Sequence, residues 1–247
     1  MQHIVIIGAT SAMAEHCARL WVQASSVRLT LVGRDAARTQ RVADDLRVRS
    51  PQSTVQVMTT DFVDAKAIQH TVHNITAIAP VDVVLIAHGA LSDQTTCQDD
   101  VLACDAALQV NGVSPVLFAE AFAQPMVAAN HGTIAIIGSV AGDRGRKTNY
   151  VYGAAKGLVA RYAQGMQHRL AHTHVNVVLI KPGPTDTPMT SDLKAKGQKM
   201  ASVEQVALDI VKGIAAGKPV VYTPGIWQII MLVVMHLPRL VFNKLNI

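Results

Sequence analysis

The chain has 247 residues, of which half are hydrophobic and only 16% are charged. This length is sufficient for one large α/β domain with a sizeable core. A net charge of +5 suits phosphate-bearing ligands or an anionic membrane surface. The sequence shows no basic run, zinc-ligand spacing or aromatic interleaving of the kind that indicates nucleic-acid binding. Composition therefore favours an apolar globular protein and argues against a nucleic-acid-binding one.

The cysteines and the first residues bear on the compartment. Cys17, Cys97 and Cys104 show no metal or redox spacing, which predicts buried thiols in a reducing environment. The sequence opens directly into an apolar strand, so we expect no signal peptide and a cytoplasmic location. The apolar C-terminal segment, residues 225–247, further suggests peripheral contact with the inner face of the membrane.

Short β-branched runs alternate with longer helical stretches, a pattern typical of βαβ units that feed a parallel sheet. Several runs are continuously apolar, as burial under helices on both faces requires. The predicted strands are Ile4–Ile7, Val27–Val32, Thr54–Met58, Val81–Ala87, Gly132–Gly138, Val175–Ile180 and Val220–Tyr222. The predicted helices are Ala12–Ala24, Ala36–Arg49, Asp64–Ile78, Val101–Ala129, Tyr150–His172 and Val203–Ala216. Residues 1–224 are therefore predicted to form one α/β domain with a doubly wound, seven-stranded parallel sheet.

Residues 225–247 depart from this pattern. Ile229 to Met235 is almost unbroken apolar sequence, and a second amphipathic stretch follows it. The apolar run is shorter than the ~20 residues that a membrane-spanning helix needs. Two interpretations stay open: an element that covers the core or a subunit interface, and a helix that lies in the lipid interface.

The turn after the first strand is a candidate phosphate-binding loop. It reads Gly8-Ala9-Thr10-Ser11-Ala12-Met13-Ala14. Such a loop needs a glycine for the bend and small residues where the backbone meets pyrophosphate. Gly8 supplies the bend, and Thr10 and Ser11 can cap the helix and donate hydroxyls to phosphate. Ala12 and Ala14 crowd positions where glycine is usual, so a plain strand–helix turn is the alternative.

Residues after the second and third strands bear on the choice of dinucleotide. Arg34 follows Gly33 where an acidic residue would receive a ribose 2′-hydroxyl, and its planar cation suits a 2′-phosphate. Asp61, followed by Phe62, can accept a hydrogen bond from the adenine amino group or cap the next helix. We therefore expect NADP(H) rather than NAD(H), the alternative being a solvent-facing Arg34.

Tyr152 and Lys156 lie four residues apart in a predicted helix and so share one face. A cation beside a phenol stabilises the phenolate and lowers the phenol pKa. A phenol tuned in this way can protonate a carbonyl oxygen or deprotonate an alcohol. Most Tyr-x-x-x-Lys matches are solvated helix faces, but here a dinucleotide-binding half precedes the pair, and Asn111 and Ser139 lie upstream.

These motifs, taken in order, resemble the short-chain dehydrogenases/reductases over nearly the whole chain up to about Tyr222. The motifs are the Gly8 turn, Asp61, Ala87-His88-Gly89, Asn111, Ser139, Tyr152 with Lys156, and Pro182-Gly183. The resemblance implies a Rossmann fold and hydride transfer between a nicotinamide cofactor and a carbonyl carbon.

The resemblance also implies a catalytic set of four residues. Tyr152 would be the general acid, and Lys156 would lower its pKa and hold the nicotinamide ribose. Ser139 would hydrogen-bond the substrate oxygen. Asn111 would bind a water that relays protons from Lys156.

The cofactor-binding set follows from the phosphate turn and from the same resemblance. Its members are Gly8, Thr10, Ser11, Ala12, Met13, Arg34, Asp61, Phe62, Ala87, His88, Gly89, Tyr152, Lys156, Pro182, Gly183, Thr185 and Thr187. His88 replaces the usual Asn of an Asn-Ala-Gly tripeptide, and we expect a packed, hydrogen-bonded strut there rather than a proton relay. No metal site is expected.

A narrower resemblance concerns the substrate. Four segments resemble the reductases that act on decaprenylphosphoryl-2-keto-erythro-pentose, namely Ile86–Gly89, Ser139–Arg146, Asn149–Tyr152 and Val220–Pro224. This resemblance implies a substrate with a phosphate and a polyprenyl chain. Basic residues at 144, 146 and 147 and an apolar C-terminus would suit such a substrate, although the same basic residues suit a solvated loop.

Other functions stay open at this point. One is a reductase of soluble ketones or 3-oxoacyl carrier substrates, and another is a non-catalytic NADP(H)-binding redox regulator. The family resemblance also implies a homo-oligomer in which the helices Val101–Ala129 and Tyr150–His172 lie between subunits.

Overall fold

A computed structural model describes residues 1–245 and contains a single sheet of seven strands. The strands are β1 (Gln2–Ile7), β2 (Val27–Gly33), β3 (Thr54–Thr59), β4 (Val83–Ile86), β5 (Gly132–Ile137), β6 (Val175–Pro182) and β7 (Val220–Thr223). Their order in the sheet is β3-β2-β1-β4-β5-β6-β7, and every adjacent pair is parallel. The predicted seven-stranded parallel sheet is confirmed.

Most of the longer helices match the sequence prediction. The helices are α1 (Ala12–Ala24), α2 (Ala36–Arg49), α3 (Ala65–Ile78), α4 (Gln94–Asp99), α5 (Val101–Leu108), α6 (Ser114–Ala129), α7 (Tyr150–Leu170), α8 (Ser191–Ala195), α9 (Val203–Ala215), α10 (Ile226–His236) and α11 (Arg239–Phe242). The prediction of one uninterrupted helix over Val101–Ala129 is wrong, because a π-helical turn at Gln109–Val113 joins α5 to α6. The short helices α4 and α8 were not predicted.

The core has two layers, one on each face of the sheet. Ile4 and Ile6 of β1 belong to the layer under α1, α2 and α9, whereas Val5 and Ile7 belong to the layer under α3, α6 and α7. Successive strand residues point to opposite faces, so a strand covered on both sides must be apolar throughout. This explains the continuously apolar run that the sequence shows at β1.

The strand order reverses beside β1, because β2 lies on one side of it and β4 on the other. In open α/β sheets, the crevice at the carboxyl ends of such strands binds ligands. Gly8 makes the turn out of β1 with φ +84°, in the left-handed region. A Cβ at Gly8 would lie 2.6 Å from the backbone nitrogen of His88, so a side chain cannot be accommodated there.

The C-terminal segment forms α10 and α11, while Asn246 and Ile247 lie outside the described residues. Met231 is buried, but Ile229 and Val233 are 62% and 57% exposed. By length and composition alone, the described chain has one helix apolar enough to cross a membrane, Val101–Ala129, and a third of its most apolar window is buried. Core helices of α/β domains pass the same test.

Candidate active site

Helix α7 lies in close contact with the turn that follows β5. Ser139 begins this turn, and its hydroxyl accepts a hydrogen bond from the Ala141 amide at 3.1 Å. A Cβ at Gly142 would lie 2.6 Å from the backbone carbonyl carbon of Lys156, and one at Gly153 would lie 2.9 Å from the Ala141 oxygen. Missing side chains therefore let the serine turn and the Tyr152–Lys156 turn of α7 approach each other.

Lys156 is buried, with 3% of its surface exposed. Its ammonium donates a hydrogen bond to the Ile137 carbonyl at 3.0 Å and lies 5.8 Å from the centroid of the Tyr152 ring. Burial lowers the pKa of Lys156 to about 8, because the charged form loses hydration. The structure thus brings the predicted cation and phenol together.

The expected direction of the Tyr152 pKa is wrong for the protein as described. Burial of the phenol raises its pKa, and hydrogen bonding with the Ser139 side chain lowers it by less. Desolvation of the phenol outweighs any lowering by the Lys156 ammonium, which is hydrogen-bonded to the Ile137 carbonyl and lies nearly 6 Å from the ring centre. Tyr152 is therefore held in its protonated form.

Asn111 lies in the π-helical turn and is fully buried. Its side-chain oxygen accepts a hydrogen bond from the Ala90 amide at 2.9 Å, and its side-chain nitrogen donates one to the Ala107 carbonyl at 3.0 Å. A Cβ at Gly89 would lie 3.0 Å from the Asn111 oxygen and 3.7 Å from the Lys156 ammonium. Asn111 and Lys156 therefore border the same space beside Gly89.

His88 is a packed strut, as expected from the sequence. One ring nitrogen is hydrogen-bonded to the Ser114 hydroxyl at 2.8 Å, and the ring packs edge-to-face with Phe62 and Phe118. Burial lowers the pKa of His88 to about 3, with Lys156 and Arg34 adding to the effect. The ring is therefore neutral near neutral pH, with one donor and one acceptor nitrogen.

The crevice beside the Gly8 turn is open along the start of α1. The residues from Thr10 to Met13 are partly exposed, and Ser11 occupies the helix N-cap without a side-chain capping hydrogen bond. Its hydroxyl is therefore available to a ligand, as the sequence suggested. A groove of about 230 Å³ adjoins this loop and is lined by Thr10, Glu15, Arg38, Arg41 and Val42.

Arg34 and Asp61 lie at the carboxyl ends of β2 and β3. Arg34 is exposed, with its guanidinium carbon 5.9 Å from the centroid of the Phe62 ring. The next residue, Asp35, caps α2 by accepting a hydrogen bond from the Arg38 amide. Asp61 accepts from the Val63 amide and is not the cap of α3, a position that Asp64 fills. The Phe62 side chain is buried in the core, with 2% of its surface exposed.

The loop after β6 carries the remaining predicted cofactor residues. Pro182 ends the strand, and a Cβ at Gly183 would lie 2.0 Å from the indole nitrogen of Trp227 on α10. The Thr185 hydroxyl donates to the Gly183 carbonyl at 3.0 Å, and Thr187 caps the turn that follows. The C-terminal segment therefore packs directly on this loop, a contact that the sequence did not predict.

A buried polar network lies between the serine turn and the last two strands. Lys181 pairs with Asp143 at 2.5 Å, with side chains that are 8% and 3% exposed. The Tyr222 hydroxyl donates to the other Asp143 oxygen at 2.9 Å. Removing one partner from a buried pair costs about 3–5 kcal/mol, because the remaining charge stays buried without a counterion. In the sequence, the signal for this network is Lys181, a charged residue at the end of the apolar strand β6.

The three basic residues of the loop before α7 have different surroundings. Arg144 donates hydrogen bonds to the Val234, Met235 and Leu237 carbonyls at the end of α10. Arg146 is partly buried, whereas Lys147 is exposed. Arg144 therefore binds the C-terminal segment, a role that differs from both sequence interpretations, a residue that suits a phosphate-bearing substrate and a residue of a solvated loop.

Within residues 1–245, no three His, Cys, Asp or Glu side chains are arranged to hold a metal ion.

Comparison with known proteins gives a consistent result. A family model described as short chain dehydrogenase matches residues 2–198. An uncharacterized oxidoreductase of Streptomyces coelicolor is 26% identical over 242 residues, which cover 98% of this chain and 95% of that protein. The fold is similar to that of a Sphingobium yanoikuyae short-chain dehydrogenase in complex with NADPH, with TM-score 0.83, 20% identity and 97% coverage of both chains. It is also similar to the bulky-bulky ketone specific alcohol dehydrogenase of Comamonas testosteroni, with TM-score 0.80, 20% identity and coverage of 97% and 96%.

Proposed function

Because this chain belongs to the short-chain dehydrogenase family and is an NAD(P)-dependent dehydrogenase/reductase, we propose that it reduces a ketone with NADPH and uses Tyr152 as the acid. The observation that carries the proposal is the packing of Ser139, Tyr152 and buried Lys156 at one end of the sheet. A non-catalytic redox regulator has no need of a buried cation beside a protonated phenol.

The crevice fits a nicotinamide dinucleotide. Gly8 leaves the backbone of the turn free of a side chain, and the start of α1 offers unsatisfied donors to pyrophosphate. Pro182 and Gly183 would border the nicotinamide, and Gly89 would leave space for the sugar. When bound, NADPH supplies the hydride that the carbonyl carbon receives.

Proton delivery follows from the positions of three side chains. The Tyr152 hydroxyl donates its proton to the carbonyl oxygen, on which negative charge develops as the carbon is reduced. The Ser139 hydroxyl donates a hydrogen bond to the same oxygen and stabilises that charge. The Lys156 ammonium stabilises the phenolate that remains after proton transfer. The space between Lys156 and Asn111 suits a water molecule through which the phenolate is reprotonated.

The preference for NADPH rests on Arg34 and its neighbours. Arg34 lies exposed where a 2′-phosphate would lie, and Arg38 and Arg41 line the adjoining groove. Asp35, the nearest carboxylate in the sequence, is engaged in capping α2 and does not replace the missing acidic residue. The groove also contains the Glu15 carboxylate, which is paired with Arg19. The guanidinium groups of Arg34, Arg38 and Arg41 favour the phosphorylated cofactor.

The substrate proposal extends to a lipid-linked 2-keto sugar, with soluble ketones and 3-oxoacyl chains as alternatives. An exposed apolar strip on α10 adjoins the loop that carries Gly183, and Arg239 and Lys244 follow it. Apolar side chains flanked by cations suit the interface of an anionic membrane, where a polyprenyl chain would be held. The protein would then be cytoplasmic with peripheral contact at the membrane.

We also predict that the protein is a homo-oligomer, which a measurement of its mass in solution would test. The exposed apolar residues Val101 and Leu102 at the start of α5 support it.

Tyr152→Phe removes the proposed acid and leaves the ring in place. We expect kcat for ketone reduction to fall by about 10²- to 10⁴-fold, while the Kd for NADPH stays within a factor of about two. Stopped-flow reduction and calorimetric titration measure the two quantities. Tyr150→Phe, on the exposed neighbouring tyrosine, is the matched control. A Tyr152→Phe enzyme with normal turnover would show that another group donates the proton.

The pH dependence follows from Lys156. Its pKa is lowered to about 8, so the stabilising charge is present below that pH and is lost as pH rises through it. We expect kcat for reduction to be constant below about 8 and to fall above it, since the raised Tyr152 pKa keeps the phenol protonated. Lys156→Met should abolish this alkaline limb. A rate that stays constant up to the ordinary lysine value of 10.5 contradicts the assignment.

Arg34→Ala tests the cofactor preference. Loss of a charge-assisted hydrogen bond to the 2′-phosphate should raise the KM for NADPH by about ten- to a hundredfold and leave the KM for NADH nearly unchanged. Arg47→Ala is the control. It removes the same charge from the last turn of α2, where Arg47 pairs with Asp44 at the surface. Equal effects on both cofactors would mean that Arg34 does not contact the phosphate.

A double substitution, Ile229→Glu with Val233→Glu, tests the membrane contact without removing α10. Both residues are exposed and lie four apart, so the variant places two negative charges on one helix face. We expect cosedimentation with phosphatidylglycerol vesicles to fall by about tenfold or more. The control carries glutamate at two exposed apolar positions elsewhere, Val48 and Val63.

The same pair of variants separates the two interpretations of the C-terminal segment. If the wild type does not sediment with vesicles but the double variant has a smaller mass in solution, the segment is a subunit contact instead.

A further inference from the structure

Arg146 is a partly buried cation without a counterion. Its Nε atom is inaccessible and has no hydrogen-bond partner, and no carboxylate among residues 1–245 lies within ion-pair distance of it. Burial lowers the pKa of its guanidinium. Buried charges in proteins are as a rule paired, because an unpaired one loses hydration without compensation. The residue as a whole is partly exposed, so an incoming anion could reach the guanidinium and compensate its charge.

Two further polar atoms near Arg146 are buried and unsatisfied in the described chain. They are the side-chain nitrogen of Gln94 and the side-chain oxygen of Asn149. Backbone contacts link these residues: the Val151 amide donates to the other Gln94 side-chain atom at 3.0 Å, and the Asn149 amide donates to the Arg146 carbonyl at 3.1 Å. Gln94 is thus held against the first turn of α7, and Arg146 and Asn149 lie in the segment that leads into it.

The position of this cluster relates it to the reacting carbonyl. Arg146 lies in the loop that joins Ser139 to Tyr152, and the Asn149 carbonyl accepts a hydrogen bond from Gly153, the residue after Tyr152. The start of the 21-residue helix α7 adds a partial positive charge. Asn149 is the N-cap residue, yet its side chain makes no capping bond.

We propose that Arg146, Gln94 and Asn149 form a subsite for the phosphate group and an adjacent hydroxyl of a sugar-like ketone. The guanidinium and the Gln94 amide donate to phosphate oxygens, and the Asn149 oxygen accepts from the hydroxyl. This subsite rests on the proposed reductase function and specifies a phosphorylated substrate class for it. Arg144 plays no part in it, since α10 engages its guanidinium.

A matched pair of ketones tests the subsite, namely dihydroxyacetone phosphate and dihydroxyacetone. In the Arg146→Gln variant, the KM for the phosphorylated ketone should rise by about ten- to a hundredfold, far more than the KM for the neutral one. Lys147→Gln is the control, because it removes the same charge from an exposed neighbouring residue. If Arg146→Gln and Lys147→Gln raise the KM for the phosphorylated ketone equally, the effect is a general attraction between positive charge and phosphate. That result would overturn the subsite.

Gln94→Glu provides a second variant that does not depend on Arg146. It keeps an oxygen for the Val151 amide but replaces the donor with a negative charge. The phosphorylated ketone should again lose affinity selectively, and thermal unfolding checks that the fold is kept. A Gln94→Glu enzyme that still prefers the phosphorylated ketone as strongly as the wild type contradicts the proposal.

Binding of inorganic phosphate separates failure of the subsite from failure of the reductase function. The protein is first saturated with NADPH so that the cofactor phosphate sites are filled, and phosphate is then titrated by calorimetry. Phosphate binding that Arg146→Gln weakens by about tenfold supports the subsite even if neither ketone is reduced. Phosphate binding that is undetectable in the wild type, or unaffected by Arg146→Gln, overturns it.

Discussion

Close contact between α7 and the turn after β5 is the constraint on which the site depends. Gly142 and Gly153 lack the side chains that would separate the two backbones, and Gly112 does the same on the opposite side, where a Cβ would lie 3.2 Å from the Ala155 Cα. Helix α7 is thereby held between the serine turn and the π-helical turn. Since these turns carry Ser139 and Asn111, the packing places both beside Tyr152 and Lys156 without any long-range ion pair.

The same packing determines the electrostatics. Lys156 loses water on burial and donates one hydrogen bond to the Ile137 carbonyl, and the net loss of hydration lowers its pKa. No carboxylate among residues 1–245 pairs with it. A nearby carboxylate would neutralise the ammonium and offer nothing to a phenolate. The unpaired cation would therefore be most stable with negative charge on Tyr152, which the proposed proton transfer would produce.

Apolar periodicity predicted the sheet and most helix bounds, and local spacing predicted the Tyr152–Lys156 pair. Ser139 and Asn111 joined this pair only through the family resemblance. The sequence-based prediction missed the π-helical turn, although Asn111-Gly112 inside an apolar helix was the available signal. It also misjudged the Tyr152 pKa, because spacing along a helix reports proximity to Lys156 but not the burial of the phenol. Contacts between distant segments, such as Trp227 on Gly183, leave no periodic pattern and required the structure.

These distant contacts change the interpretation of the C-terminal segment. Trp227 packs on the loop after β6, Arg144 holds the end of α10, and Phe242 of α11 lies under the Arg144 guanidinium at 3.7 Å. The Asp143–Lys181 pair joins the loop that carries Arg144 to the strand that ends at Pro182. The segment is thus attached to the loop that carries Arg144 and to the loop that carries Gly183. Under the proposed function, a surface that binds its exposed apolar face would lie beside the reacting carbonyl. A substrate with a long apolar chain would enter from that surface, whereas a small soluble ketone would gain nothing from it.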